Sequence, residues 1–212
     1  MRLGEAKPSR RTWWPRLPCA DRSFPLGPHL NEMNTSDTSA APPSNRFTAE
    51  DVVQILRERG WLHGDASAGQ VGWCERAAAL LGPQAIDRAT LADLLSFVFH
   101  YDARAIIASV EAHVVLSRYA ARDVVRELAA LVLAGGPVGP DRFQEIVAML
   151  KERLEVRGRE LFHPLRLALA GRCGEGELDR VILLLDDAAE AGFTPPVKTA
   201  RARIMEFCAA LD

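Results

Sequence analysis

Residues 157–185 read RGRELFHPLRLALAGRCGEGELDRVILLL, a stretch that sets basic side chains, one proline and an apolar run close together. Pro164 suits the first turn of a helix, where a missing N–H costs nothing, and Gly171 suits the position just past a helix end. HPLRLALAG, 163–171, is therefore expected to be a short helix of about two turns. Leu178, Val181, Ile182 and Leu185 recur at helical spacing and predict a second helix with one apolar face. Glu175, Gly176 and Glu177 form the turn between them.

The same grammar extends outward. In FTAEDVVQILRERG, Thr48 is placed as an N-cap with Asp51 as its capping partner, and Phe47 can staple onto Val52. VGWCERAAALLGP puts Val71, Cys74, Ala78 and Leu81 on one face and stops at Gly82 and Pro83. TLADLLSFVFHYD offers Thr90 and Asp93 in the same capping relation. Asp102 can cap ARAIIASVEAHVVL as one helix, with Ile106, Val110, His113 or Val114 and Ser117 along one side. Val124, Leu128 and Leu131 precede Gly135 and Gly136. After the turn-rich GGPVGP, Asp141 and Gln144 open DRFQEIVAMLKERLEV with Phe143, Ile146 or Val147, Leu150 and Leu154 as its stripe. Ala200, Ile204, Phe207 and Leu211 form a last one. Strands find no comparable support. The expected fold is all-α, a bundle of about eight short helices in two subdomains, 47–136 and 137–212.

Residues 1–46 differ, with prolines throughout and a polar tract ending in Ala40, Ala41, Pro42 and Pro43. They are expected to be a disordered leader, because they cannot bury enough apolar surface to offset chain entropy. Met33 is an alternative start. The arginines there do not make a targeting segment, since no apolar signal core is present and the prolines spoil an amphipathic transit helix. In the remainder no apolar run approaches the roughly 18 residues of a membrane span, so no membrane partner is expected, and the composition is that of an ordinary cytoplasmic protein.

The chain has 212 residues and a formal charge of −2, which exerts no global pull on nucleic acid. Its basic side is nearly all arginine: only Lys7, Lys151 and Lys198 are lysines. Cys19, Cys74, Cys173 and Cys208 are too scattered for a zinc site or a disulfide framework. His29, His63, His100, His113 and His163 are isolated from one another, and Asp186, Asp187 and Glu190 read as a solvated helix end rather than a metal site. No metal and no cofactor is expected. Trp61 and Trp73 read as packing under loops. Residues 47–212 carry 19 basic and 24 acidic side chains, yet 151–172 carry six basic against three acidic ones. A local positive excess beside a helix N-terminus suits phosphate, because guanidinium forks and free amides both donate to phosphate oxygens.

The pattern RGRELFHPLRLALAGR...ELDRVILLL resembles the C-terminal part of the anticodon-binding domain of bacterial glutamyl-tRNA synthetases, which are class I enzymes. There a G-basic turn is followed by P-L-R-x-A-L-T-G, a Ser/Thr-Pro or Gly-Pro turn and an apolar helix. TLADLLSFVFHYD and VVQILRERGWL resemble earlier segments of the same all-helical domain, so the resemblance covers roughly 47–212. It implies an anticodon-side role for Arg166 and Leu178, and a backbone-phosphate role for Arg157 and Arg159, with Arg172 completing the candidate RNA-binding set. The chain departs from the family at Ala170, where the threonine stands, at the Glu175-Gly176-Glu177 turn, and at Asp186 in place of the glycine of a Leu-Leu-Gly.

The resemblance implies tRNA as partner, of the glutamate isoacceptor class, and a separate catalytic chain beside it. An H-I-G-H-like motif and a K-M-S-K-S-like loop are absent from the sequence, and no glycine-rich phosphate loop follows a strand. Aminoacylation by this chain alone is therefore not expected. The alternative is a synthetase paralogue turned protein-interaction or regulatory domain, a reading that the carboxylates of Glu175 and Glu177 favour, since they oppose an RNA backbone.

Overall fold

The computed structural model describes residues 46–211, so the expected leader, apart from Arg46, lies outside the described residues. Among the described residues the chain is all helical, with no strand. It forms eleven α-helices: α1 (Ala49–Glu58), α2 (Ala68–Leu81), α3 (Arg88–Phe99), α4 (Ala103–Ile107), α5 (Val110–Leu116), α6 (Ala121–Ala134), α7 (Pro140–Leu154), α8 (Arg159–Ala170), α9 (Gly176–Ile182), α10 (Leu185–Ala191) and α11 (Ala200–Leu211), with a short 3-10 turn at Gly82–Gln84. The helices outnumber the sequence expectation because two of the predicted ones are broken. Ser109 interrupts the segment after Asp102 by accepting from the Ala112 N–H, which starts α5 as a separate helix. The apolar run Val181–Leu185 likewise splits at Leu183 and Leu184.

Local chemistry sets most starts. Thr48 and Asp51 form a reciprocal capping box on α1, and Ser67 and Gln70 form another on α2. Helix α3 begins earlier than its Thr90–Asp93 pair suggests: Asp87 is the N-cap, accepting from the Thr90 N–H at 2.7 Å and from its hydroxyl at 2.8 Å. Asp102 does cap α4, through the Arg104 and Ala105 N–H groups. Helix α7 starts on Pro140 rather than on a side-chain cap. Helix α8 starts at Arg159, four residues before the expected start at 163, leaving Pro164 inside it. The N–H that Pro164 lacks would bond the carbonyl of exposed Glu160, which water can satisfy. Gly171 closes α8 in the left-handed region at φ 84.

One apolar core draws on both sides of the GGPVGP break: Leu56, Trp73, Leu81 and Leu95 before it, Leu150, Leu165, Ile182 and Phe207 after it. Trp61 stacks on Phe99 with centroids 4.5 Å apart, and Trp73 meets Phe193 edge-on at 5.0 Å. The indole N–H of buried Trp73 donates to the Leu184 carbonyl at 3.1 Å, tying α2 to the α9–α10 junction. Both tryptophans therefore pack, as the sequence suggests. Asp186 is also structural: it accepts from the Val138 N–H at 2.6 Å and from the Ala200 N–H at 2.7 Å, fixing the α6–α7 loop and the start of α11.

Several arginines are spent on helix C-termini, whose last carbonyls lack intrahelical partners. Arg203 is fully buried and donates to Phe97, Val98, Leu169 and Lys198 carbonyls, joining the ends of α3 and α8 to α11. Tyr101 lies over its guanidinium at 4.7 Å. Arg142 and Arg201 donate to the Leu131 and Leu133 carbonyls at the end of α6. Arg142, Arg201 and Arg203 thus serve the fold rather than a binding surface.

Candidate nucleic-acid interface

The basic stretch divides when it folds. Arg166 and Leu178, expected at the anticodon side, are placed in the interior, at 7% and 2% exposure. Helix α8 turns Arg166 toward α9, where its Nε and Nη2 donate to the two carboxylate oxygens of Asp179 at 2.7 and 2.8 Å. Its Nη1 donates to the Gly174 carbonyl at 2.5 Å, and the Phe162 ring lies 4.9 Å from the guanidinium carbon. This fork-on-fork pair consumes the donors a phosphate would need. A Cβ on Gly174 would sit 2.7 Å from Leu178 Cδ1 and 2.9 Å from Glu177 Oε1, so both side chains would have to shift to admit one. Leu178 packs beneath the turn, at the floor of the cleft that Arg172 lines.

Arg157, Arg159 and Arg172 remain in solvent. Among the described residues Arg157 has no hydrogen-bond or ion-pair partner. Arg159 lies 3.7 Å from Glu175, a pair with both side chains largely exposed and so worth at most about 1 kcal/mol. Arg172 leans over the Phe97 ring at 6.0 Å and lines a cleft of about 380 Å³ between α3 and the α8–α9 turn, with Gln84, Thr90, Asp93 and Glu177. Arg153, in contrast, pairs with Glu127 across to α6. Lys151 sits 5.7 Å from the Phe162 ring at the rim of a groove between α7, α8 and α9, with Arg180 on the opposite side.

Folding also adds a cation that the sequence does not suggest. Arg118, in the turn between α5 and α6, donates from Nη1 to His163 Nδ1 at 3.2 Å. Burial, then Arg118, Arg159 and Arg166, hold the His163 imidazole below its ordinary pKa, so it is neutral at pH 7. The contact joins residues 45 apart in sequence, beyond any helical period. Cys173 is close by, its thiol pushed up to about 12 by burial, and inert as a nucleophile.

What fold and surface define is an all-α domain with solvent-exposed arginines on and beside α8. Its sequence is similar to glutamate–tRNA ligase 2 of Syntrophus aciditrophicus (strain SB), 28% identical over 123 residues, and to glutamate–tRNA ligase 1 of Halorhodospira halophila (strain DSM 244 / SL1), 47% identical over 47 residues. These matches cover 58% and 22% of this chain. The chain spans about a quarter of the first relative's length and a tenth of the second's, 25% and 10%. With the all-helical fold, they are consistent with a domain related to glutamate–tRNA ligases. No protein-family model matches the chain, and no solved structure matches it. No described helix is long and apolar enough to cross a membrane.

Proposed function

We propose that this chain is a tRNA-binding module related to glutamyl-tRNA synthetases, which holds the anticodon arm and does not aminoacylate by itself. The glutamate isoacceptors are its tRNA class, and a separate catalytic chain supplies the chemistry. The observation that carries this reading is the solvent position of Arg157, Arg159 and Arg172, whose only carboxylate partner among the described residues is the loosely held Glu175. Exposed guanidiniums without firm ion pairs are free to displace counterions from a phosphate backbone. The cleft beside Arg172 adds an aromatic wall at Phe97 and polar groups at Gln84, Thr90 and Asp93, the mixture by which an unstacked base is held. Similarity to two glutamate–tRNA ligases supports the choice of tRNA.

A titration of the chain with a total tRNA pool, repeated across salt concentrations, tests this. Arg157→Ala and Arg172→Ala are expected to weaken binding and flatten its salt dependence, and Glu175→Ala to tighten it by releasing Arg159. A second reading, as a protein-interaction domain, is favoured by Val110 and Val114 on α5, 81% and 52% exposed at i and i+4. Under that reading tRNA does not bind, and substituting those valines disrupts a complex instead.

A further inference from the structure

Resting on the RNA reading above, we propose that Arg118, Arg159 and His163 seat one backbone phosphate of a single-stranded segment, and that Tyr119 stacks on the adjoining base. Arg118 and Tyr119 are consecutive in the turn between α5 and α6. Tyr119 is 91% exposed, and among the described residues it has no hydrogen-bond or ring partner. An aromatic ring left in water next to a cation is the pairing by which proteins hold unpaired nucleotides, ring on base and guanidinium on phosphate. Ala120 follows at φ 64, a left-handed conformation that strains an alanine and swings the chain sharply into α6.

The electrostatics of the cluster are those of a site waiting for an anion. A guanidinium can only donate, so the contact at 3.2 Å requires His163 Nδ1 to accept and its proton to sit on Nε2. Arg118 has no carboxylate partner among the described residues, and an imidazole nitrogen is all it has. Two arginines flank that imidazole on its own helix: Arg159, one turn before it on α8, pairs only with the exposed Glu175 among the described residues, and Arg166, three residues after it, is neutralised by Asp179. Glu111, the remaining nearby carboxylate, accepts from the Cys173 backbone N–H. A phosphate beside the imidazole gives Arg118 and Arg159 an anionic partner and, as Arg118 turns from His163 Nδ1 to the phosphate, favours the charged, donating form of His163. Glu175 would give way, its bridge to Arg159 being long and solvated.

The test uses the full chain and a fluorescein-labelled oligouridine of about ten nucleotides at low salt, read by anisotropy. Arg118→Ala and Tyr119→Ala are each expected to weaken binding by about tenfold, and Tyr119→Phe to stay close to wild type, because stacking needs the ring and not the hydroxyl. In the same titration followed by NMR, the His163 ring resonances should move toward their protonated positions. Both side chains are exposed, so thermal melts of the variants should match wild type. If wild type binds RNA and Arg157→Ala weakens it while Arg118→Ala and Tyr119→Ala do not, the phosphate seat is overturned and the RNA reading stands. If Arg118→Ala alone weakens binding, the stacking half is overturned and Tyr119 belongs with Val110 and Val114 to a protein contact. If wild type binds neither oligouridine nor tRNA, both readings fall.

Discussion

At the scale of residues, the arginines of one short stretch have three different fates, and the surroundings decide which. Arg166 is a fold residue: with its carboxylate partner Asp179 in the first turn of α9, it locks α8 to α9. Arg166→Met leaves Asp179 beside an apolar wall and is expected to cost about 3 kcal/mol in urea unfolding, whereas Arg166→Met with Asp179→Leu recovers most of that loss. An equal loss in the double variant would show that packing, not the ion pair, is what matters. Arg157→Ala should leave stability unchanged within about 0.5 kcal/mol. Asp87 sets a pH dependence. The backbone N–H of Thr90 and then its hydroxyl hold the Asp87 carboxyl below its ordinary 3.8, so its capping contribution is complete above that value and is lost as pH falls through the lower folded pKa. Asp87→Asn keeps an accepting oxygen but cannot titrate, and its melting temperature is expected to fall less steeply than wild type below about pH 4. Parallel acid profiles would contradict this.

At the scale of elements, capping is legible at α1, α4 and the end of α8 but not at α3 or α7, whose starts are set by Asp87 and Pro140, and helix continuity is not legible. Thr48, Asp102 and Gly171 announce their roles because a cap depends on neighbours within four positions. The breaks at Ser109 and after Ile182 leave no mark in the apolar spacing, which runs straight across them, and Val110 and Val114 read as core although they face water. Pro164 misplaced the start of α8 because an exposed Glu160 carbonyl makes an interior proline tolerable. The buried fates of Arg166 and Leu178, and the approach of Arg118 to His163, depend on how separate helices pack. No local pattern encodes that. Two glycines test the element-level account. A Cβ on Gly171 would meet Ile106 Cδ1 at 3.0 Å with φ at +84, so Gly171→Ala should cost about 1–2 kcal/mol. At Gly176, in the first turn of α9, nothing lies within 4 Å, and Gly176→Ala should be neutral or stabilise by about 0.5 kcal/mol in the same melts.

At the scale of the whole molecule, the helices before and after the GGPVGP break share one core, and Arg203 is where three of them meet. Arg203→Met strands the buried carbonyls of Val98 and Leu169 without a donor and removes the hydrogen bonds to Phe97 and Lys198, and is expected to cost about 4 kcal/mol or more, with Arg203→Lys little better because an ammonium cannot span the same acceptors. A mild Arg203→Lys would contradict this capping role. The same packing that buries Arg203 leaves Arg157, Arg159 and Arg172 outside, on a domain otherwise richer in acid than base. Under the proposed reading, the polyanion that this surface meets is tRNA. Binding of a total tRNA pool as a function of salt measures the claim most directly. The account predicts that log affinity falls linearly with log salt, at about −0.7 for each phosphate contacted in a single-stranded region, and that Arg157→Ala with Arg172→Ala flattens the line without shifting the melting temperature. Absence of salt-sensitive tRNA binding by the folded wild-type chain at low ionic strength would contradict it.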